Sequence, residues 1–178
     1  TMQIIAVGDM EQKIYDKTTL DVSKFIKEFL GAFTTMQFTQ CFRLSAGLAS
    51  MLGRIWNKEI IGVNEECIVE KMPLEQVVEF LAEQELGDIL CLGAQANEAA
   101  ETLNELEVRF PEKFNKNTVY ASIRERDFEM KPTTKSAIFT TYDSSKGLER
   151  NICVVFNFTE DYWERRINNP EQAYTILR

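Results

Sequence analysis

The sequence predicts an α/β layered domain, with a mostly parallel β-sheet flanked by helices. Three observations carry this. Four short apolar runs of strand length, rich in β-branched or aromatic residues, occupy residues 4–7, 89–92, 137–140 and 152–158. Amphipathic stripes with helical spacing lie between them, the alternation expected of βαβ units. The chain has 178 residues, 44% hydrophobic and 27% charged, enough to bury the core of one ordinary globular domain.

The elements follow in order. Residues 4–7 read as the first buried strand, ending at Gly8-Asp9. Residues 36–39 are a further strand candidate, leading towards Arg43. Leu44, Leu48, Met51, Leu52 and Ile55 recur at helical spacing behind Ser45, a suitable N-cap. Leu74, Val77, Val78 and Leu81 make a second stripe, with Pro73 at the expected first helical position. The run 89–92 ends at Gly93-Ala94-Gln95. The stripe Ala96, Ala99, Leu103, Leu106 and Phe110 is closed by Pro111, which cannot continue a helix. Residues 119–123 are another strand candidate, and the polar stretch 127–135 reads as a connector. The runs 137–140 and 152–158 bracket a polar turn. In such sheets ligands bind beyond the carboxyl ends of the strands, so these exits are where function is sought.

Composition removes several classes of chemistry. The chain contains no His, which excludes a Ser-His-Asp or Cys-His nucleophile and any His-ligated metal within these residues. No long uncharged apolar run and no signal-peptide pattern occurs, so a cytoplasmic protein without a membrane partner is expected. The net charge of −8 is unlike that of a dedicated DNA-binding module, although an acidic motor domain can still line one groove with cations. Cys41, Cys67, Cys91 and Cys153 form no Cys-x-x-Cys pair and read as buried, reduced thiols. Trp56 and Trp163 read as packing anchors, Glu65-Glu66 as a solvated loop, and Glu160-Asp161 with Arg165-Arg166 as a solvated helix face. Both ends look cut, so a piece of a longer protein is expected.

Three segments carry candidate chemistry. In the first, a strand ends in Gly8-Asp9 and is followed by Gln12, able to hydrogen-bond a phosphate or a water, and Tyr15, able to stack on a base. In the second, Phe42 offers a stacking face, and Arg43 stands just before a helix, where a guanidinium can grip a phosphate with two bonds. In the third, the run 137–140 empties into Thr141, Asp143, Ser144, Ser145, Lys146, Gly147 and Glu149. Hydroxyls and exposed backbone N–H groups suit phosphate-backbone contacts, Gly147 allows close approach to a ligand, and Glu149 suits ribose hydroxyls.

Taken in order, G-D-x-x-Q-x-I-Y, an aromatic-Arg step into a helix and T-x-x-x-x-K-G-L-E resemble motifs III, IV and V of the UvrD/Rep/PcrA class of superfamily-one helicases. The resemblance implies a RecA-like, P-loop-NTPase-like three-layer fold. Residues 1–18 would end the first motor domain, and 19–178 would form most of the second, stopping before motif VI. It implies that Gln12 senses the terminal phosphate and its attacking water, that Arg43 touches the γ-phosphate across the cleft, and that Phe42 lies near the adenine. Glu149 would hold the ribose, with Gly147 beside it. Tyr15, Thr141, Asp143, Ser144 and Lys146 would lie along the nucleic acid. ATP and Mg2+ would be used by the full-length protein. Its partners would be single-stranded or partly duplex DNA and the first motor domain.

This chain departs from the family pattern at several positions. Asp16, Lys17 and Thr18 stand where an aromatic and an Arg usually grip the strand, Asp143 stands for a usual His, and Phe42 for a usual Tyr. No G-x-x-x-x-G-K-[ST] phosphate loop occurs, so the chain alone is expected not to hydrolyse ATP. The alternative implied is a HelD-like ATPase that acts on RNA polymerase. A third is a helicase joined to a nuclease or a defence system.

Overall fold

The structure is a computed structural model that describes residues 36–94, 98–123 and 131–159, together with Ile5, Lys24, Lys27, Glu28, Phe29 and Thr34. Of the buried strand expected at residues 4–7 only Ile5 is described, and it is exposed with no regular structure; the rest of that strand and the boundary expected after residue 18 lie outside the described residues. The chain divides into two compact units, Thr1–Val69 with Arg166–Arg178, and Glu70–Arg165. Every described strand pairing is parallel, so the fold is α/β as expected.

In the first unit, β1 (Gln40–Ser45) leads directly into α1 (Ala46–Trp56), and β2 (Ile61–Asn64) pairs with β1. The helix begins where Ser45 places it. Ser45 is extended, at φ −67° and ψ 160°, and its side chain accepts a bond from the Leu48 N–H at 3.4 Å. The helix ends at Asn57, whose left-handed backbone turns the chain so that the Lys58 N–H reaches the Gly53 carbonyl at 2.9 Å. Residues 36–39, expected as a strand, have no regular structure, and pairing starts one residue later, at Gln40. Phe42 and Arg43 therefore sit within β1 rather than beyond it. The sequence reading missed β2, a four-residue strand with one half-buried and three exposed residues, where the short run Ile60, Ile61 and Val63 is interrupted by Gly62.

In the second unit, α2 (Leu74–Glu83), β3 (Ile89–Gly93), α3 (Glu98–Arg109), β4 (Val119–Ala121), β5 (Ala137–Thr141) and β6 (Ile152–Val155) build a four-stranded sheet ordered β4-β5-β3-β6. Register places Ile89, Cys91, Val119, Ala121, Ala137, Phe139 and Val154 on one face. These residues form one core with Val77, Val78 and Leu81 of α2 and with Ala99, Leu103 and Leu106 of α3. Leu90, Ile138 and Thr140 point to the opposite face and are also buried. Both faces of the central strands are therefore covered, as a parallel sheet requires.

Two boundaries and the burial of three thiols differ from expectation. Pro73 caps α2 from outside, at ψ 145°, because helical dihedrals begin at Leu74; its carbonyl then accepts the Gln76 N–H at 3.0 Å. The strand expected over 152–158 stops at Val155, since Asn157 adopts a positive φ of 43° that no strand continues through. Of the four thiols, only Cys91 is buried. Cys153 is exposed because β6 is an edge strand among the described residues, and Cys41 and Cys67 are half-buried.

Candidate functional site

Gln12 and Tyr15 lie outside the described residues. Phe42 and Arg43 belong to the first unit, and Thr141 to Glu149 belong to the second. Phe42 projects from β1 with 76% of its surface accessible, and Arg43 is exposed beside it, two residues before the N-cap of α1.

The β1–β2 register slips at this point. Cys41 faces Gly62 and Ser45 faces Asn64, so four steps along β1 oppose two along β2. Such a bulge re-aims the side chains it carries. The surplus backbone is held by the last residue of β2 and by the loop after it. Asn64 Nδ2 donates to the Arg43 carbonyl at 3.0 Å, and the Ser45 N–H donates to Cys67 Sγ at 3.3 Å. Gly62 lies close under the bulge. A Cβ there would meet the Ser45 oxygen at 2.3 Å and the Leu44 oxygen at 2.5 Å, so no larger residue fits without moving β1.

In the second unit, β5 delivers Thr141 to the carboxyl edge of the sheet beside Gly93 of β3. The Tyr142 N–H then bonds the Gly93 carbonyl at 3.2 Å, and the chain makes a short 3-10 turn at Asp143–Ser145. The hydroxyls knit this turn together. Thr141 Oγ1 donates to Ser144 Oγ at 3.1 Å and accepts the Ser144 N–H at 3.3 Å, while Ser145 Oγ donates to the Tyr142 carbonyl at 2.7 Å. Ser144 and Lys146 are exposed, and Thr141 and Asp143 are half-buried. Gly147 follows at φ 83°, with open space where a Cβ would stand, so backbone conformation rather than crowding calls for glycine here. Glu149 is exposed beyond it. Arg150 pins the far side of the turn by donating to the Glu149 carbonyl at 2.8 Å and the Thr133 carbonyl at 2.7 Å.

Side chains to which the sequence reading gave no role tie this turn to its neighbours. Tyr142 is buried, and its hydroxyl donates to the Phe156 carbonyl beyond β6. Its ring meets Phe158 edge-on, with centroids 5.5 Å apart. Asn157 Nδ2 donates to Glu98 Oε1 at the start of α3. The exits of β3, β5 and β6 are thus joined by side-chain bonds. An aromatic inside a polar turn was the available signal for Tyr142; nothing in the sequence marked Asn64 or Asn157.

Among the described residues, no group of three or more Cys, Asp or Glu could hold a metal ion, and no helix is long and apolar enough to cross a membrane. Burial pushes the Cys91 thiol well above the ordinary range, with Cys153 adding to the shift, so this sulfur is an inert core group.

The chain matches no protein-family model, no curated protein and no solved structure.

Proposed function

We propose that this chain is the second motor domain of an ATP-dependent DNA helicase or translocase of the UvrD-like class. The observation that carries the reading is the turn after β5. A buried parallel strand opens at the carboxyl edge of the sheet into Thr141, Asp143, Ser144, Lys146, a left-handed Gly147 and Glu149, a set that resembles motif V in order and in secondary-structure context. An Arg on a bulged strand, just ahead of a capped helix, gives the motif IV resemblance the same kind of support.

In this reading Arg43 reaches across the cleft to the γ-phosphate of ATP held by the first motor domain, and stabilises charge as the phosphoryl group leaves. Phe42 stacks near the adenine, and Glu149 accepts from the ribose hydroxyls with Gly147 opening the approach. Gln12 orients the attacking water. Thr141, Ser144 and Lys146 meet the sugar-phosphate backbone, Asp143 lies on the same side, and Tyr15 stacks beside the strand. Magnesium would be held by acids of the first domain, where it supports charge on the phosphates.

The test is ATP turnover by the full-length protein with and without single-stranded DNA, beside Arg43→Ala. The expected result is turnover stimulated by the strand, with kcat lowered about 10³-fold or more in the variant. Turnover indifferent to DNA favours the HelD-like reading, in which RNA polymerase is the partner. A variant as active as the wild type removes Arg43 from the cleft.

A further inference from the structure

The bulge under Arg43 is held by more contacts than a strand end needs. Asn64 Nδ2 donates to the Arg43 carbonyl at 3.0 Å, while Asn64 Oδ1 accepts the Glu65 N–H at 2.8 Å and fixes the amide's orientation. Cys67 Sγ accepts the Ser45 N–H at 3.3 Å and lies 3.8 Å from the same Arg43 carbonyl. Gly62 lets β2 press against the Leu44 and Ser45 carbonyls from below. Two residues from a different strand and its loop therefore hold the two peptide planes that follow Arg43. Asn64 is exposed, so burying its own side chain does not account for the arrangement.

We infer that Asn64 is a positioning residue for Arg43: its amide locks the β1 bulge in the one backbone setting that aims the guanidinium. The inference rests on the reading of Arg43 as a phosphate-contacting cation. Its physical basis is that rate depends steeply on where a charged group sits in the transition state, whereas nucleotide binding draws on many contacts. Asn64 touches no nucleotide in this account. It acts only through Arg43.

The experiment is a double-mutant cycle in the full-length protein, with ATP turnover measured at saturating single-stranded DNA. Asn64→Ala and Asn64→Asp are each compared with wild type, then rebuilt on Arg43→Ala. Aspartate keeps the size of the side chain and loses the donor. Both single variants are expected to lower kcat about 10- to 100-fold with KM for ATP within about twofold. On the Arg43→Ala background neither is expected to lower kcat further by more than about twofold, because groups acting as one unit are not additive.

An equal loss on both backgrounds overturns the inference and makes Asn64 a structural residue. So does Asn64→Asp behaving as wild type. If Arg43→Ala itself leaves kcat unchanged, the reading of Arg43 fails and the positioning role falls with it. That outcome is separate from one in which Arg43 matters and Asn64 does not. A thermal melt of each variant identifies any loss that comes from unfolding.

Discussion

Two phenylalanines in opposite settings test the architecture directly. Phe139 has no accessible surface and stands on β5, between Ala121 of β4 and Cys91 of β3. Those neighbours are small, so they leave the space vacated by a truncated ring largely unfilled. Phe139→Ala should cost about 3–5 kcal/mol, the range for emptying a core aromatic site that can only partly collapse. A domain of this size is stable by roughly 5–15 kcal/mol, so the loss is a large fraction of the whole. With a urea slope of about 1–3 kcal/mol per molar, the midpoint should fall by roughly 1–5 M, and by about 2 M at the centre of both ranges. Phe42 is 76% accessible, and Phe42→Ala should change stability by no more than about 0.5 kcal/mol. The assay is urea unfolding followed by far-ultraviolet circular dichroism, with hydrogen exchange at Ile138, Phe139 and Thr140 to assign the loss to the second unit. A cost below about 1 kcal/mol for Phe139→Ala, or an equal cost for both variants, would refute the placement of the core.

Two further outcomes follow from the local chemistry. Gly147→Ala should destabilise by about 1–2 kcal/mol, because the left-handed φ of 83° is strained for any residue with a Cβ, although nothing crowds the site; a chemical-denaturation curve measures it. Cys91 gives a pH dependence. Its thiol ionises in the unfolded chain above about pH 8.5 but stays protonated when buried, so its contribution is intact below that pH and declines as pH rises. Urea midpoints for wild type and Cys91→Ala, compared at pH 7 and pH 10, should show a larger fall for the wild type; parallel shifts would remove Cys91 as a source.

The parts of the fold that were legible in sequence are those whose apolar residues face a continuous environment. β3 and β5 announced themselves as unbroken apolar runs because both of their faces are buried. α1 announced its start because a serine side chain is the local remedy for unbonded helix N–H groups. β2 did not, since Gly62 interrupts its short run of Ile60, Ile61 and Val63 and no buried face extends the pattern. The end of β6 was overrun because Asn157 looks ordinary in sequence and only its backbone angle stops the strand. Cys153 was misplaced because an apolar run does not reveal which strand lies at the edge of a sheet.

The candidate site divides along the same line. The sequence by itself determined the residue types, their order and, for the set after β5, their position at a strand exit, because hydroxyls, Gly147 and charged residues are set by local chemistry within a few bonds. Tertiary structure alone decided how those residues are held. The bulge under Arg43 exists because Asn64, Cys67 and Gly62 approach from a second strand and its loop, and the turn after β5 is tied by Tyr142, Phe156, Asn157 and Glu98. Those contacts join residues 14 to 59 positions apart or more than 20 along β1 and its loop, and their geometry arises only when the chain closes on itself.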